Sequence, residues 1–294
     1  MGATGGIEHG ARTKINGAQQ TLAILIGCFL ALVRTPRNPS ASAMLWPSAR
    51  VFSVGLLSAV ALVAAAMIYV DQRAFDAQRL LPILVVETFD EITDFGKSGY
   101  FLFPLGIAFL ALAFIATPAL GRMTNDVLVA IMVRCGFLFV AIGLPGLTFT
   151  ILKRIIGRVR PSHLGPFAYM PFSWRPEYAS LPSGHSTTAF AAAVAMGALF
   201  PRLRVVMWVY AVIIAISRVA ISAHFTSDVI AGAFVGGFGA VLVRNWFAVR
   251  RLGFAVGPDQ RIHALAGPSW ERVKKVAGRI AMQYLGHGPS KVGP

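Results

Sequence analysis

Charged residues are scarce in this chain. They make up 13% of its 294 residues, whereas 56% are hydrophobic, and the mean hydropathy is +0.66. An average soluble domain carries about 25% charged residues. The composition therefore excludes an ordinary soluble domain and predicts a polytopic membrane protein.

Acidic residues are scarcer than basic ones. The chain has 12 acidic and 27 basic residues, which gives a formal net charge of +15. Such an excess is compatible with nucleic-acid binding, but the basic residues lie in short loops and both tails rather than in one patch with interleaved aromatics. We therefore expect no nucleic-acid partner and attribute the excess to positively charged cytoplasmic loops.

Cysteine is almost absent. Cys28 and Cys135 are the two in the sequence, and both lie in apolar runs without CxxC spacing. This pattern predicts small buried hydrophobic side chains and excludes a disulfide framework or a zinc site.

The apolar runs predict an all-α fold with a six-helix transmembrane core. The expected spans are residues 51–70, 100–120, 127 onward, 185–200, 205–221 and 229–247. The stretch 127–160 exceeds the roughly 20 residues that a bilayer requires, so the third helix either projects into water or kinks at Gly143 to Gly146 around Pro145. Gly232, Gly236 and Gly237 allow the last span to pack closely on a neighbour.

The core is expected to occupy residues 49–247, with an N-terminal segment at 1–48 and a basic tail at 248–294. Residues 1–20 are Gly-rich and polar, which predicts disorder. The run Leu22 to Val33 is short for a span and favours an interfacial helix. A signal peptide cut near Ala41-Ser42-Ala43 is the alternative.

Two further segments have amphipathic spacing. Val85, Phe89, Ile92 and Phe95 predict a helix lying on the outer membrane surface. A Gly/Pro-marked linker follows the last span, and residues 270–285 then predict a cationic helix on the anionic inner leaflet, with a solvated tail as the alternative.

Loop charges predict the orientation. With six spans, one side of the membrane receives nine basic residues, which are Arg34, Arg37, Arg50, Arg122, Arg202, Arg204, Arg244, Arg250 and Arg251. On the other side, Arg73, Arg79 and Lys97 are outnumbered by six acidic residues, whereas Lys153, Arg154, Arg158, Arg160 and Arg175 run against the bias. The first side should be the cytoplasm, with both tails. The residues discussed next then lie on the periplasmic or outer face.

Three polar clusters stand at the ends of apolar segments. They are Lys153 with Arg160-Pro161, then Pro182-Ser183-Gly184-His185, then Ser217-Arg218 with His224 and Asp228. If the chain is helical from Lys153 to Arg160, both cations lie on one face about 10 Å apart and can grip one phosphate. Ser183 and Gly184 precede an apolar helix, whose free N–H groups form an anion site.

The third cluster has the spacing of a nucleophile and its orienting group. His224 and Asp228 are four residues apart, so the carboxylate can hold one imidazole nitrogen while the other attacks. Arg218 supplies a planar fork for two phosphate oxygens. A metal site on His185, His224 and Asp228 is the alternative, but the cations beside them would repel a divalent ion.

The remaining polar residues near the clusters are given simpler interpretations. Arg154 and Arg158 are interpreted as snorkelling membrane anchors. His163 and Arg175 are interpreted as surface or headgroup contacts.

Together the three clusters resemble the signature of the type 2 phosphatidic acid phosphatase superfamily, with the spacings inside the first and third motifs intact. The resemblance implies a metal-free, cofactor-free lipid phosphatase of the bacterial plasma membrane. His224 would attack phosphorus, Asp228 would orient it, and His185 would protonate the leaving oxygen. The phosphate oxygens would be held by Lys153, Arg160, Ser183, Gly184 and Arg218.

The resemblance leaves the substrate open among undecaprenyl pyrophosphate, phosphatidylglycerophosphate, phosphatidic acid and lipid A. A lipid phosphotransferase using the same phosphohistidine is the nearest alternative function. A vanadate-dependent peroxidase is disfavoured by the spans, and a transporter would leave the three motifs as coincidence.

Overall fold

The computed structural model describes residues 17–36, 46–116, 120–163, 165, 167–259 and 261–285. Within these residues the chain forms, in order, α1 (Gly17–Val33), α2 (Ala49–Tyr69), α3 (Asp71–Gln78), α4 (Ile83–Thr93), α5 (Gly99–Ile115), α6 (Arg122–Ile156), α7 (Gly184–Leu199), α8 (Arg204–Ala220), α9 (Thr226–Val249), β1 (Phe254–Val256), β2 (Ile262–Ala264) and α10 (Trp270–Leu285).

The predicted all-α membrane fold is confirmed, and each of the six predicted spans coincides with a helix. Among the described residues, five stretches are long and apolar enough to cross a membrane, namely 49–69, 83–115, 122–156, 201–220 and 226–249. The second of these joins α4 and α5. The sixth predicted span, α7, has 16 residues and a length of about 24 Å.

Helix α7 lies at the centre of the bundle, where it packs against α6, α8 and α9. Alanines cover it on every side, and Ala189, Ala191, Ala192, Ala193 and Ala195 have no exposed surface. Helix α9 packs on it at close range. A Cβ at Gly236 would lie 2.1 Å from the carbonyl oxygen of Thr187, so only glycine allows this contact.

Helix α6 differs from the predicted third span at both ends. It begins at Arg122, contains Pro145, and continues for 35 residues to Ile156, a length of about 52 Å. Gly239 of α9 faces the Pro145 ring, where a Cβ would approach to 2.6 Å. The helix ends at Gly157, whose φ of 63° is left-handed, so the predicted helix from Lys153 to Arg160 is wrong.

The predicted surface helix exists as α4, but its far end turns into the bundle. Ile83 and Leu84 are exposed at its start, whereas Thr93 and the following Gly96 are buried. The hydroxyl of Tyr210 on α8 donates to the carbonyl oxygen of Phe95 at 2.9 Å. The segment therefore packs on protein rather than lying wholly on the membrane surface.

The predicted linker after the last span contains a two-stranded antiparallel ribbon, β1–β2. Phe254 of β1 is buried, with its ring 4.7 Å from that of Phe137. Helix α10 has the predicted bounds, but Val276 on its apolar face is buried against α6 in a cluster with Leu128. This face therefore contacts the protein, although it was expected to contact the leaflet.

The N-terminal interpretations are tested only in part. Helix α1 begins at Gly17, inside the segment predicted to be disordered, and Gln20 donates to the carbonyl oxygen of Ala116 at 2.7 Å. Residues 1–16 and the alternative cleavage site at 41–43 lie outside the described residues. Cys28 and Cys135 are half-buried free thiols.

Candidate active site

Four helix ends meet at one end of the bundle and bring the three clusters together. Lys153 lies in the last turn of α6, Gly184 and His185 begin α7, Arg218 lies in the last turn of α8, and Asp228 lies in the first turn of α9. Because consecutive spans run in opposite directions, the ends of α6 and α8 meet the beginnings of α7 and α9.

His224 lies in the turn between α8 and α9 and is 3% exposed. Its Nδ1 is 3.4 Å from Ser180 Oγ and 3.7 Å from Asp228 Oδ2. Burial lowers the pKa of His224 to about 4, against the opposing effect of Asp228. The imidazole is therefore neutral near pH 7, and its Nε2 is on the side of the ring away from Asp228.

The expected contact between His224 and Asp228 is longer than a hydrogen bond, whose N–H···O distance is about 2.7–3.2 Å. Oδ2 of Asp228 instead accepts from Ser180 Oγ at 2.6 Å and from the backbone N–H of Phe225 at 3.0 Å. Ser180 stands within reach of both members of the pair. Sequence reasoning missed Ser180, which lies in the loop before the second cluster.

Arg158 is fully buried, so its interpretation as a membrane anchor is wrong. Its Nη1 donates to Asp228 Oδ1 and to Ser227 Oγ, each at 2.6 Å, and its Nη2 donates to Asp71 Oδ2 at 2.7 Å. Burial alone would lower the pKa of Arg158, but Asp228 and Asp71 outweigh it and raise that pKa. Two buried carboxylates thus share one guanidinium.

Lys153 lies in the last helical turn of α6, whereas Arg160 lies in the extended chain that follows the helix. The ammonium of Lys153 lies 4.9 Å from the ring centroid of Phe149. Gly157 ends the helix between them, where a Cβ would lie 1.8 Å from the carbonyl oxygen of Met170. The chain then extends, and the backbone N–H of Arg160 donates to the carbonyl oxygen of Glu177 at 2.8 Å.

The second cluster is held against the third by the backbone. The N–H of Ser183 donates to the carbonyl oxygen of Asp228 at 2.9 Å, and Ser183 is fully buried. A Cβ at Gly184 would lie 2.7 Å from the Phe149 ring, so a side chain at this position would clash. Glycine at this position avoids that contact and leaves the backbone of the first turn of α7 accessible to a ligand.

The segment after α4 covers the site. Nη1 of Arg218 donates to Thr93 Oγ1 at 2.8 Å. Gly96 packs on His185, where a Cβ would lie 3.0 Å from ring carbon Cδ2. Sequence reasoning placed this segment on the membrane surface and gave no signal for these contacts.

Three buried nitrogens in the clusters have no hydrogen-bond partner among the residues that the structure describes. They are Nε of Arg160, Nε of Arg218 and Nε2 of His185. Buried polar groups are almost always paired, so this arrangement fits an absent anion. In the part of the chain that the structure describes, no three His, Cys, Asp or Glu residues are grouped to hold a metal ion.

The fold and this site together define a polytopic membrane protein with a buried, cation-lined site beside a histidine whose pKa is lowered. Residues 134–252 match the family model of the PAP2 superfamily, so this part of the chain is similar to that family. The resemblance inferred from the three motifs is thereby confirmed.

Two curated relatives are lipid A 1-phosphatases from Rhizobium etli and Rhizobium johnstonii. Each is 42% identical over 126 residues, which is 42% of this chain and 54% and 52% of the respective relatives. The chain thus spans about half the length of the curated relatives it matches.

Two solved structures are also similar. A phosphatidylglycerolphosphate phosphatase from Bacillus subtilis is 21% identical with a TM-score of 0.40, covering 77% of this chain and 95% of that one. LpxE from Aquifex aeolicus is 23% identical with a TM-score of 0.43, covering 59% and 93%.

Proposed function

We propose that this chain is a metal-independent phosphatase that removes phosphate from a membrane lipid through a phosphohistidine at His224. The observation that carries this proposal is the convergence of the unpaired nitrogens of Arg160, Arg218 and His185 on the site that holds His224. A phosphate group would supply the acceptors that these nitrogens lack. His224, with its lowered pKa, would meet it with a free lone pair.

Each residue has a role in this mechanism. Nε2 of His224 attacks phosphorus in line, while Asp228 orients the imidazole and stabilises the positive charge that forms on it. His185 takes up a proton when the phosphate binds and passes it to the departing oxygen. The neutral His185 left by that step then deprotonates the water that hydrolyses the intermediate. The equatorial oxygens are held by Lys153, Arg160, Ser183, the N–H of Gly184 and Arg218, which stabilise the transition state electrostatically.

The loop beside the site favours a lipid substrate. Phe167, Phe172 and Trp174 are 66%, 74% and 81% exposed, and aromatic side chains of this kind sit well at headgroup level. Because both curated relatives are lipid A 1-phosphatases, lipid A is placed first among the four candidate lipids. The site is proposed to face the periplasm or cell exterior, on the charge asymmetry of the loops.

A phosphate-release assay tests this function. The purified protein in detergent is given lipid A, undecaprenyl pyrophosphate, phosphatidylglycerophosphate and phosphatidic acid, with and without EDTA. We expect wild type to release phosphate from at least one lipid, equally in EDTA, and His224→Ala to lose at least about a thousandfold of kcat.

The matched control is His163→Ala, which removes an exposed histidine of the neighbouring loop and should retain wild-type turnover. Release from no lipid, or equal turnover by His224→Ala, would contradict the proposal. Loss of activity in EDTA that a divalent ion restores would contradict metal independence.

A further inference from the structure

The site contains a buried charged residue from a part of the chain outside the three clusters. Asp71 opens α3, directly after the first span, and is 1% exposed. A buried carboxylate is costly unless it is paired and hydrogen-bonded. Asp71 is both, and all of its recorded partners lie in or beside the first and third clusters.

The carboxylate of Asp71 joins two elements of the site. Oδ1 accepts from the backbone N–H of Ser227 at 2.9 Å, in the first turn of α9. Oδ2 accepts from Ser227 Oγ at 2.5 Å and from Nη2 of Arg158 at 2.7 Å. Asp71 therefore accepts hydrogen bonds from a free backbone N–H at the beginning of α9 and from Nη2 of the Arg158 guanidinium at the same time.

Because Arg158 contacts both Asp71 and Asp228, the position that Asp71 gives to the guanidinium also restricts Asp228. A guanidinium is a rigid planar fork, so fixing Nη2 on Asp71 also fixes the direction of Nη1. Nη1 donates to Asp228 Oδ1 at 2.6 Å. The plane of the Asp228 carboxylate is thereby set, which leaves Oδ2 facing Ser180 and His224.

We infer that Asp71 and Arg158 are positioning residues of the reaction: Asp71 holds Arg158, which holds Asp228 in the orientation that directs His224 at phosphorus. This role rests on the proposed function. Neither residue is proposed to touch the phosphate. Their loss should slow the chemical step and leave phosphate binding to the groups already named.

The test compares Asp71→Asn with Asp76→Asn. Asn keeps the size of the side chain but removes its charge, and Asp76 is an exposed carboxylate on the same helix. For Asp71→Asn we expect kcat per active site to fall roughly tenfold to a hundredfold, as is common when a supporting hydrogen-bond partner is lost. KM for the lipid and the inhibition constant of inorganic phosphate should stay within about twofold of wild type, and Asp76→Asn should match wild type in all three.

Arg158→Lys is the second variant, because it keeps the charge and removes the fork. We expect a comparable loss of kcat. The double variant Asp71→Asn/Arg158→Lys should be no slower than Arg158→Lys alone, since Asp71 acts through Arg158. Active sites are counted from the folded, monodisperse fraction of each variant in size-exclusion chromatography in detergent, so a smaller folded fraction does not count as a slower step.

The outcomes separate this inference from the proposed function. A wild type without phosphatase activity would overturn both. If wild type is active, an Asp71→Asn variant with unchanged kcat, or losses that multiply in the double variant, would overturn the positioning role alone. A rise in the phosphate inhibition constant of Asp71→Asn would also overturn it, because the residue would then act on binding.

Discussion

At the residue scale, the site holds more positive than negative charge. Lys153, Arg158, Arg160 and Arg218 face two buried carboxylates, Asp71 and Asp228, and Arg158 is shared between those two. The other three cations are left for an incoming anion. A substrate phosphate would therefore complete the charge balance, and charge developing on its oxygens would meet donors already in position.

The lowered pKa of His224 predicts the acid limb of the pH profile. His224 must be neutral to attack, and burial lowers its pKa to about 4, so the nucleophile is active above that pH and is lost by protonation below it. We expect kcat/KM, corrected for ionisation of the substrate phosphate near pH 6, to stay level down to pH about 5 and to fall with a midpoint of about 4.

Return of each sample from acid to pH 7 is the control for irreversible unfolding. A corrected midpoint of about 6.5, the ordinary value for histidine, would contradict a buried and neutral nucleophile.

The sequence predicted the clustered residues because each motif has its own internal spacing. It did not predict the partners that hold them. Arg158 contacts Asp71 across 87 residues of chain, and no local pattern reveals a pairing of that length. An arginine at a helix end near a membrane also resembles an anchor, and only its burial shows that Arg158 has a different environment.

At the element scale, glycines determine how the helices carrying the site meet. Hydropathy located the six spans because apolar runs of about that length form few structures other than transmembrane helices. It could not locate the end of α6, which is fixed by the approach of Met170 to Gly157 from a separate loop. The cover formed by the end of α4 was missed for the same reason, since its contacts on α8 come from distant sequence.

The contact between α7 and α9 predicts a sharp difference between adjacent glycines. Gly236→Ala would place a Cβ 2.1 Å from Thr187 O, forcing the two helices apart. We expect a cost of about 1–3 kcal/mol, seen as a lower unfolding temperature in detergent together with reduced phosphate release.

Gly237→Ala is the matched control, because its Cβ would meet Val194 at 4.0 Å, an ordinary contact. It should be neutral or slightly stabilising, since alanine is the better helix former. Equal effects of the two substitutions would show that close packing of α7 on α9 does not set the stability.

At the scale of the whole molecule, we propose that the ends of α6, α7, α8 and α9 that carry the site face away from the cytoplasm. The arginines of the opposite loops support this orientation, and the basic residues of the first cluster run against the charge bias. The proposed function would explain that exception, because the cations that hold the phosphate would have to lie there.

Single cysteines in a background without Cys28 and Cys135 test the orientation. Phe167→Cys lies in the exposed aromatic loop beside the site, and Ala266→Cys lies in the exposed segment before α10 at the other end. A membrane-impermeant thiol reagent applied to intact cells, with any outer membrane made permeable, should label position 167 and not position 266.

Detergent-solubilised protein is the control, in which both positions should react. Labelling of position 266 in sealed cells would place the C-terminal tail outside and contradict the orientation.

The central claim is a covalent phosphohistidine on His224, and trapping it is the most direct measurement. The protein is mixed with a lipid carrying ³²P in the scissile phosphate, quenched in base within milliseconds, digested and mapped. We expect label on the peptide containing His224 in wild type and none in His224→Ala. In His185→Ala the label should appear more slowly and, in a chase with unlabelled lipid, decay more slowly, because formation loses its acid and hydrolysis loses its base. Label on another residue, or sustained turnover by His185→Ala with no label on the protein, would contradict the claim.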